Sequence, residues 1–509
     1  MELLKNKVAQ YTLVSDGAYG QEETLETIVP DVNPDVLRII CTSSEICMKE
    51  KSLQMGKLRV SGEIRSRIFY SAEGDTTVWQ VEGVTPFACT VDIEEALPDD
   101  TLVASCTVIT AQASMLNPRK LAVKTHYSIQ AQVFRQSTIE LVEGVECKTD
   151  DGISTLIEST ESMMLTGIPE RRVVINEEIR LSGGSVSATD RLYRTELTWT
   201  TEDKKVLTNK IMLRGSVSIK AVTISEKDGF LAQNMYNLPF AQIIEADNTD
   251  PSDEVAVIYN VMQNECRLAS GADGAPVLQC SIVASAQAFV SRKIPLRIMT
   301  DLYSTAYESD FDTEEVAANA GDERLSVFAP IGESLQADYP AVRIHDYAVR
   351  CECRRPSPGA PSAVGWRCFQ IIYETTTGSL CCVNRRIEAE AQLERPYTCG
   401  SRLRLECAEP QVTCDEDGAI SVSGKGVFVC KCPNTKVYRQ VSTLRVNHQA
   451  CKARPKRGTL ILRAYDGKES IWQIAKRYNT TSPDIMAANK ITGEGDLAEG
   501  RLIIIPYSR

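Results

Sequence analysis

Laid on itself, the chain repeats its own punctuation at an offset of 153 residues, and no other feature limits its fold as tightly. Residues 58–70, LRVSGEIRSRIFY, align with residues 211–223, IMLRGSVSIKAVT, and Gly62 falls on Gly215. Leu58, Val60, Ile64 and Ile68 fall on Ile211, Leu213, Val217 and Ala221. Both segments alternate apolar and polar residues with period two, which predicts strands with one buried face. The same offset carries Pro86-Phe87-Ala88 onto Pro239-Phe240-Ala241 and Val103 onto Ala256. Beyond an insertion of two residues, of the kind a loop tolerates, Tyr127, Ile129, Ala131, Gln132 and Phe134 meet Ile282, Ala284, Ala286, Gln287 and Phe289.

A third, diverged copy follows. Residues 366–373, WRCFQIIY, precede Thr377-Gly378 as Ile68 to Tyr70 precede Glu73-Gly74, and Ile420, Val422 and Phe428 stand where a closing strand belongs. The Pro-Phe motif is absent here. Short runs of Val, Ile, Thr and Tyr bounded by Gly, Asp, Asn and Pro fill the chain up to residue 460. The expected architecture is mainly β: tandem antiparallel β-sandwich-like units at 30–135, 165–295 and, cysteine-rich, at 325–435. Linkers are expected near Gln136 to Gly167 and Asp310 to Glu323, the latter acidic, Ala-rich and a candidate short helix. Arg354 to Pro361, with three prolines that cannot donate ladder hydrogen bonds, is expected to be a loop.

From Leu460 the period changes. Ile471, Ile474, Ala475 and Tyr478 recur at helical spacing, which predicts a short amphipathic helix. A second helix is predicted from Ser482-Pro483-Asp484, with Ser482 as cap, to Asn489. Strands Leu460 to Ala464 and Leu502 to Pro506 flank the pair, so residues 460–507 read as a small βααβ domain.

The formal charge of −12 argues against a nucleic-acid binder, which needs a dense basic surface. The tail from Ala450 carries five more basic than acidic residues, including a basic stretch from Lys452 to Arg457 that reads as a solvated linker. The first residues, MELLKNKVAQYTLV, lack a cleavage site, and no stretch has the roughly 18 apolar residues of a membrane span. A cytoplasmic location is therefore expected, and most of the 18 cysteines are expected to be reduced thiols. Eleven of them lie between Cys351 and Cys451; their C-x-C spacing fits zinc poorly and suits small buried strand residues, while oxidative cross-linking stays open. His126, His345 and His448 are the only histidines, and no H-E-x-x-H or G-x-S-x-G occurs, so a non-enzyme without cofactor or metal is expected. His126 reads as an exposed strand residue, and Trp79, Trp199 and Trp366 as core.

Ile471-Trp472, Ile474-Ala475, Tyr478, Asn489, Gly500, Leu502 and Ile505-Pro506 resemble the LysM family. That resemblance implies a shallow groove for N-acetylglucosamine polymers between the loop before the first helix and the loop before the second strand. Where the family usually reads Gly-Asp-Thr, this chain reads Lys468-Glu469-Ser470, with Gly467 one place early. Candidate partner- or glycan-binding residues are Gly467, Lys468, Glu469, Ser470, Ile471, Asn489, Lys490 and Ile491, with Gln473, Lys476 and Arg477 on the helix as secondary candidates. Val29-Pro30, Asn33-Pro34-Asp35, Gly62, Tyr70 and Pro86-Phe87 resemble the SPOCS domain, also called DUF3794, of Firmicutes sporulation proteins. SPOCS units followed by one LysM are similar to a SipL-like family of clostridial spore-morphogenesis proteins. The resemblance implies a sporulation adaptor at the mother-cell face of the forespore, whose LysM module binds the spore coat morphogenetic ATPase. Self-association of the β-units fits the same reading. The rival is a peptidoglycan-binding protein of the cortex or wall.

Overall fold

A computed structural model describes residues 2–506 except 75–76, 149–150, 182–189, 226–230, 399–400 and 453–460. Strands dominate, and one arrangement of them occurs three times. The first set comprises β1 (Glu2–Ile28), β2 (Arg38–Gln54), β3 (Lys57–Ser71), β4 (Val78–Asp92), β5 (Thr101–Asn117) and β6 (Lys120–Glu146). Its β2, β3 and β4 form an antiparallel meander, and β1-β6-β5 forms a second sheet. Leu58, Val60 and Ile64 of β3 and Phe87 of β4 pack on Ala104, Tyr127, Ile129 and Ala131 between the two sheets.

The second set has β7 (Ile153–Gly167), β8 (Glu170–Arg180), the meander β9 (Arg191–Leu207), β10 (Lys210–Ile224) and β11 (Leu231–Glu245), then β12 (Glu254–Ser270) and β13 (Pro276–Ser304). The third has β14 (Tyr307–Phe328), β15 (Ile331–Leu335), the meander β16 (Ala341–Arg354), β17 (Ser362–Thr375) and β18 (Leu380–Gln392), then β19 (Arg402–Cys414) and β20 (Ile420–Cys451). In both, the strand before the meander is split in two, and both pieces pair with the long closing strand.

The repeated glycine has a steric cause. A Cβ on Gly62 would stand 2.1 Å from the Cys47 carbonyl oxygen and 2.8 Å from the Phe87 ring; on Gly215 it would stand 2.1 Å from the Thr200 oxygen and 3.0 Å from the Phe240 ring. Gly62 pairs with Phe87 and Gly215 with Phe240, so the Pro-Phe motif supplies the ring that caps the glycine across the ladder. In the third set Gly365 pairs with Ala389, and Phe428 of β20 takes the ring's place.

The linkers expected from sequence are strands. β6 runs through Gln136 to Glu146, β7 occupies Ile153–Gly167, and the acidic, Ala-rich stretch lies inside β14. Helix propensity is overridden there because Val316 and Ala318 alternate inward against Tyr438, while Arg445 meets Asp312 at 2.9 Å. The paired ribbons β1/β6, β7/β13 and β14/β20 converge on Leu141, Met164, Leu296, Val316 and Tyr438. At the other end Phe69, Val222 and Ile372, which hold equivalent ladder positions in β3, β10 and β17, share one buried cluster. The three sets are thus arranged about a common centre.

Trp79, Trp199 and Trp366 are all partly buried, Trp199 stacking on Tyr259 against the second core, and His126 is half-buried rather than exposed. No disulfide links the described cysteines, and burial pushes Cys47 up to about 11 and Cys106 up to about 12. Among the described residues no cluster of three or more His, Cys, Asp or Glu is placed to hold a metal, and no helix is long and apolar enough to cross a membrane. Most of the basic stretch Lys452 to Arg457 lies outside the described residues.

Candidate functional site

The terminal module is β21 (Ile461–Ala464), α1 (Ile471–Tyr478), α2 (Ser482–Asn489), a short 3-10 turn (Glu494–Asp496) and β22 (Leu502–Ile505), with β21 antiparallel to β22. Ser470 and Gln473 start α1 with reciprocal side-chain to backbone hydrogen bonds, a capping box. Thr481, not Ser482, caps α2: its hydroxyl accepts from the Asp484 amide at 3.2 Å, and Ser482 is already helical. The reason is that Pro483 suits either of the first two helical positions, so the proline alone does not fix the cap. The Tyr465 amide donates to the Arg501 carbonyl and the Gly500 amide to the Tyr465 carbonyl, each at 2.8 Å, which draws together the two loops that the LysM resemblance assigns to the groove.

The candidate residues occupy different environments. Gly467 sits in the first loop at φ +66°, a left-handed conformation that favours glycine. Lys468 beside it is exposed. The Lys468 amide donates to Asp466, and this bond, with that from the Glu469 amide, holds the Asp466 carboxyl below its usual range. Glu469 is gripped by Arg463 and by Arg477, whose Nη1 lies 3.2 Å away. Ser470 and Gln473 are engaged in the capping box, and Ile471 and Ile491 are buried in the module core. Asn489 donates to the Ile485 carbonyl at 2.8 Å and the Ile504 carbonyl at 2.6 Å and accepts from the Ile504 amide at 2.7 Å, so its side chain clasps α2 to β22. Lys490, in the left-handed residue after α2, is exposed. Lys468 and Lys490 therefore present charge to solvent, while most of the other candidates build the frame.

One face of α1 is not free. Trp472 Nε1 donates to Asp301 Oδ2 at 2.7 Å, and Lys476, one turn on, donates to Asp301 Oδ1 at 2.6 Å and lies 5.1 Å from the Phe311 ring centre. Tyr303 packs edge-on against Trp472 with ring centres 4.8 Å apart, and its hydroxyl donates to the Thr480 carbonyl at 2.7 Å. Burial pushes this phenol up to about 12. Tyr303 belongs to the module's own core cluster, so the end of β13 completes that core. Sequence reading gave Lys476 as a secondary binding candidate and missed its contacts with Asp301 and Phe311, and Tyr303 beside them. Nothing local to the module signals partners roughly 170 residues away in the chain.

Fold and site define a class: a strand-rich repeat body holding a small binding module of two helices on two strands. The SipL, SPOCS-domain family matches residues 35–116, and the LysM-domain family matches residues 468–506. No curated protein matches the chain, and no solved structure does. The chain thus carries a SipL-type SPOCS domain at 35–116 and a C-terminal LysM domain at 468–506. These domains fit a sporulation-associated protein with a peptidoglycan-binding type of module; both families are in general non-catalytic, and neither match indicates an enzyme.

Proposed function

We propose that this protein is a non-enzymatic sporulation adaptor that tethers and encases the spore coat around the forespore, its LysM module binding the coat-basement ATPase. In this reading three β-units, centred on 30–135, 165–295 and 325–435 and extended by their flanking strands, form the body, and 460–507 forms the binding module. The mother-cell cytoplasm at the forespore surface is its place of action. Docking of α1 through Asp301 and Tyr303 supports the reading, because it occupies one face of that helix and leaves the exposed Lys468 and Lys490 of the two loops as the working surface. Exposed Lys468 and Lys490 on those loops suit an acidic protein surface better than an uncharged sugar. Glu469, gripped by Arg463 and Arg477, stiffens the lip.

The LysM match itself favours a second reading, binding of peptidoglycan. The full chain separates the two. Co-purification with the coat ATPase, weakened about tenfold or more by Lys468→Glu with Lys490→Glu, is the expected result. Pelleting with purified peptidoglycan, released by soluble chitooligosaccharide, with no retention of the ATPase, supports the rival. Exchanging charge at Glu469 is a poor test, since a lysine there would face two arginines and loosen the loop.

A further inference from the structure

The first strand of each meander, β2, β9 and β16, lines a cavity of about 750 Å3 together with β5, β12 and β19. Its charges are unevenly matched. Inside, Glu45 meets Arg67 at 3.2 Å and accepts from the Thr195 hydroxyl at 3.0 Å, and Glu196 is held by Arg194 at 3.3 Å and Lys220 at 3.8 Å. The guanidinium of Arg350, on the wall from β16, makes no hydrogen bond or ion pair among the described residues, while its backbone pairs in the ladder with Cys368. Protein surrounds its side chain, yet part of its surface stays open to the cavity. Burial, and then the charge of Arg194, push its guanidinium below the ordinary value. Asn260, also on the wall and 7% exposed, has a buried amide nitrogen without an acceptor. Also on the lining, Arg402 pairs with Asp322, Arg404 has no ion pair among the described residues, and Asp16 is pushed up by burial against the opposing charges of Arg355, Arg402 and Arg404.

A guanidinium on a cavity wall with no acceptor from the protein is a ready partner for an anion, because charge-assisted hydrogen bonds are the stronger kind. We propose that the cavity is a ligand site for a small molecule carrying a phosphate or carboxylate group, with Arg350 as the cation that meets the anion. Such a ligand would touch all three strand sets at once and so favour their assembled form. The site lies in the body, apart from the LysM loops, and does not depend on what those loops bind.

The test is calorimetric titration of the full chain with inorganic phosphate and, separately, with citrate, at constant ionic strength. Saturable binding of one or both is expected, the stronger ligand showing whether phosphate or carboxylate is preferred. Arg350→Met should weaken binding about ten- to hundredfold, as loss of a charged hydrogen-bond donor does. Arg404→Ala, at an exposed position that leaves folding intact, should weaken it less and keeps the test readable if Arg350→Met does not fold. No saturable binding of either anion, or equal binding by the wild type and both variants, overturns the proposal.

Discussion

Arg135 and Arg292 make the same clasp in the first two strand sets. Arg135 donates to both Asp100 oxygens, at 2.9 and 2.8 Å, and to the Glu95 carbonyl at 2.6 Å; Arg292 does so to Asp253, at 2.6 and 2.8 Å, and to the Asn248 carbonyl at 2.6 Å. Each aspartate also accepts an amide from three residues earlier, so one carboxylate closes the turn before β5 or β12 and anchors the closing strand. The arginine hydrogen bond holds Asp100 below its usual range; at Asp253 burial opposes, but the Arg292 bond, the Asp250 amide and the Arg292 charge prevail in the same direction. A carboxyl lowered in the folded state adds stability that is complete above its unfolded value and disappears as pH falls through the folded one. Stability is therefore expected to drop progressively as pH falls below about 5. Asp253→Asn should cost about 1–2 kcal/mol at neutral pH and flatten that drop, as read by urea denaturation across pH. From sequence the Asp99-Asp100 pair reads as solvated turn carboxylates, whereas the Asp100 side chain is buried against Arg135; it lies 153 residues before Asp253, on the offset of the repeat, but the arginines lie 157 apart, past the inserted residues and a bulge beside Val290.

Alternation predicted β3 and β10 well up to their last turns, where it stops. Ile68, Phe69 and Tyr70 are buried consecutively, as are Ala221 to Ile224, because the outer face there meets the common centre. A segment buried on both faces has no period to read, and the central contact was hidden for that reason. The acidic stretch of β14 misled for a related cause: its partner lies in β20, far along the chain, and local propensity carries no trace of it. The Gly to Pro-Phe relation, by contrast, is local in space and in sequence, and both motifs stood out. Gly215→Ala should destabilise the second set by about 1–3 kcal/mol, since the new Cβ would collide with the Thr200 carbonyl, and thermal unfolding measures the loss. The wild-type midpoint in that variant would show that the bulge can open at little cost.

Near-equivalence of the three sets leaves open which neighbours which, and the centre of the molecule carries a device that breaks the tie. Ladder positions that correspond in β2, β9 and β16 hold Cys41, Arg194 and Asp346. Arg194 and Asp346 form a buried ion pair at 2.7 Å between the second and third sets. Removing one partner strands the other: Asp346→Ala should cost about 3–5 kcal/mol, whereas replacing both by Met and Leu should be far milder, a contrast that denaturation of the two variants measures. The LysM module extends this asymmetry outward. It rests on the second ribbon at Asp301 and Tyr303 and reaches Phe311 of the third, with no matching contact to the first among the described residues. The βααβ order was legible because capping, periodicity and length were all local; the docking was not, because it joins distant residues.

Hydrogen exchange of the full chain, with and without the coat ATPase, tests the central claim most directly. The account predicts new protection in residues 465–470 and 489–501, with the Trp472 to Lys476 face equally protected in both states. Protection of those loops by peptidoglycan fragments and not by the ATPase, or ATPase protection confined to the exposed side of α1 at Gln473 and Arg477, would contradict it.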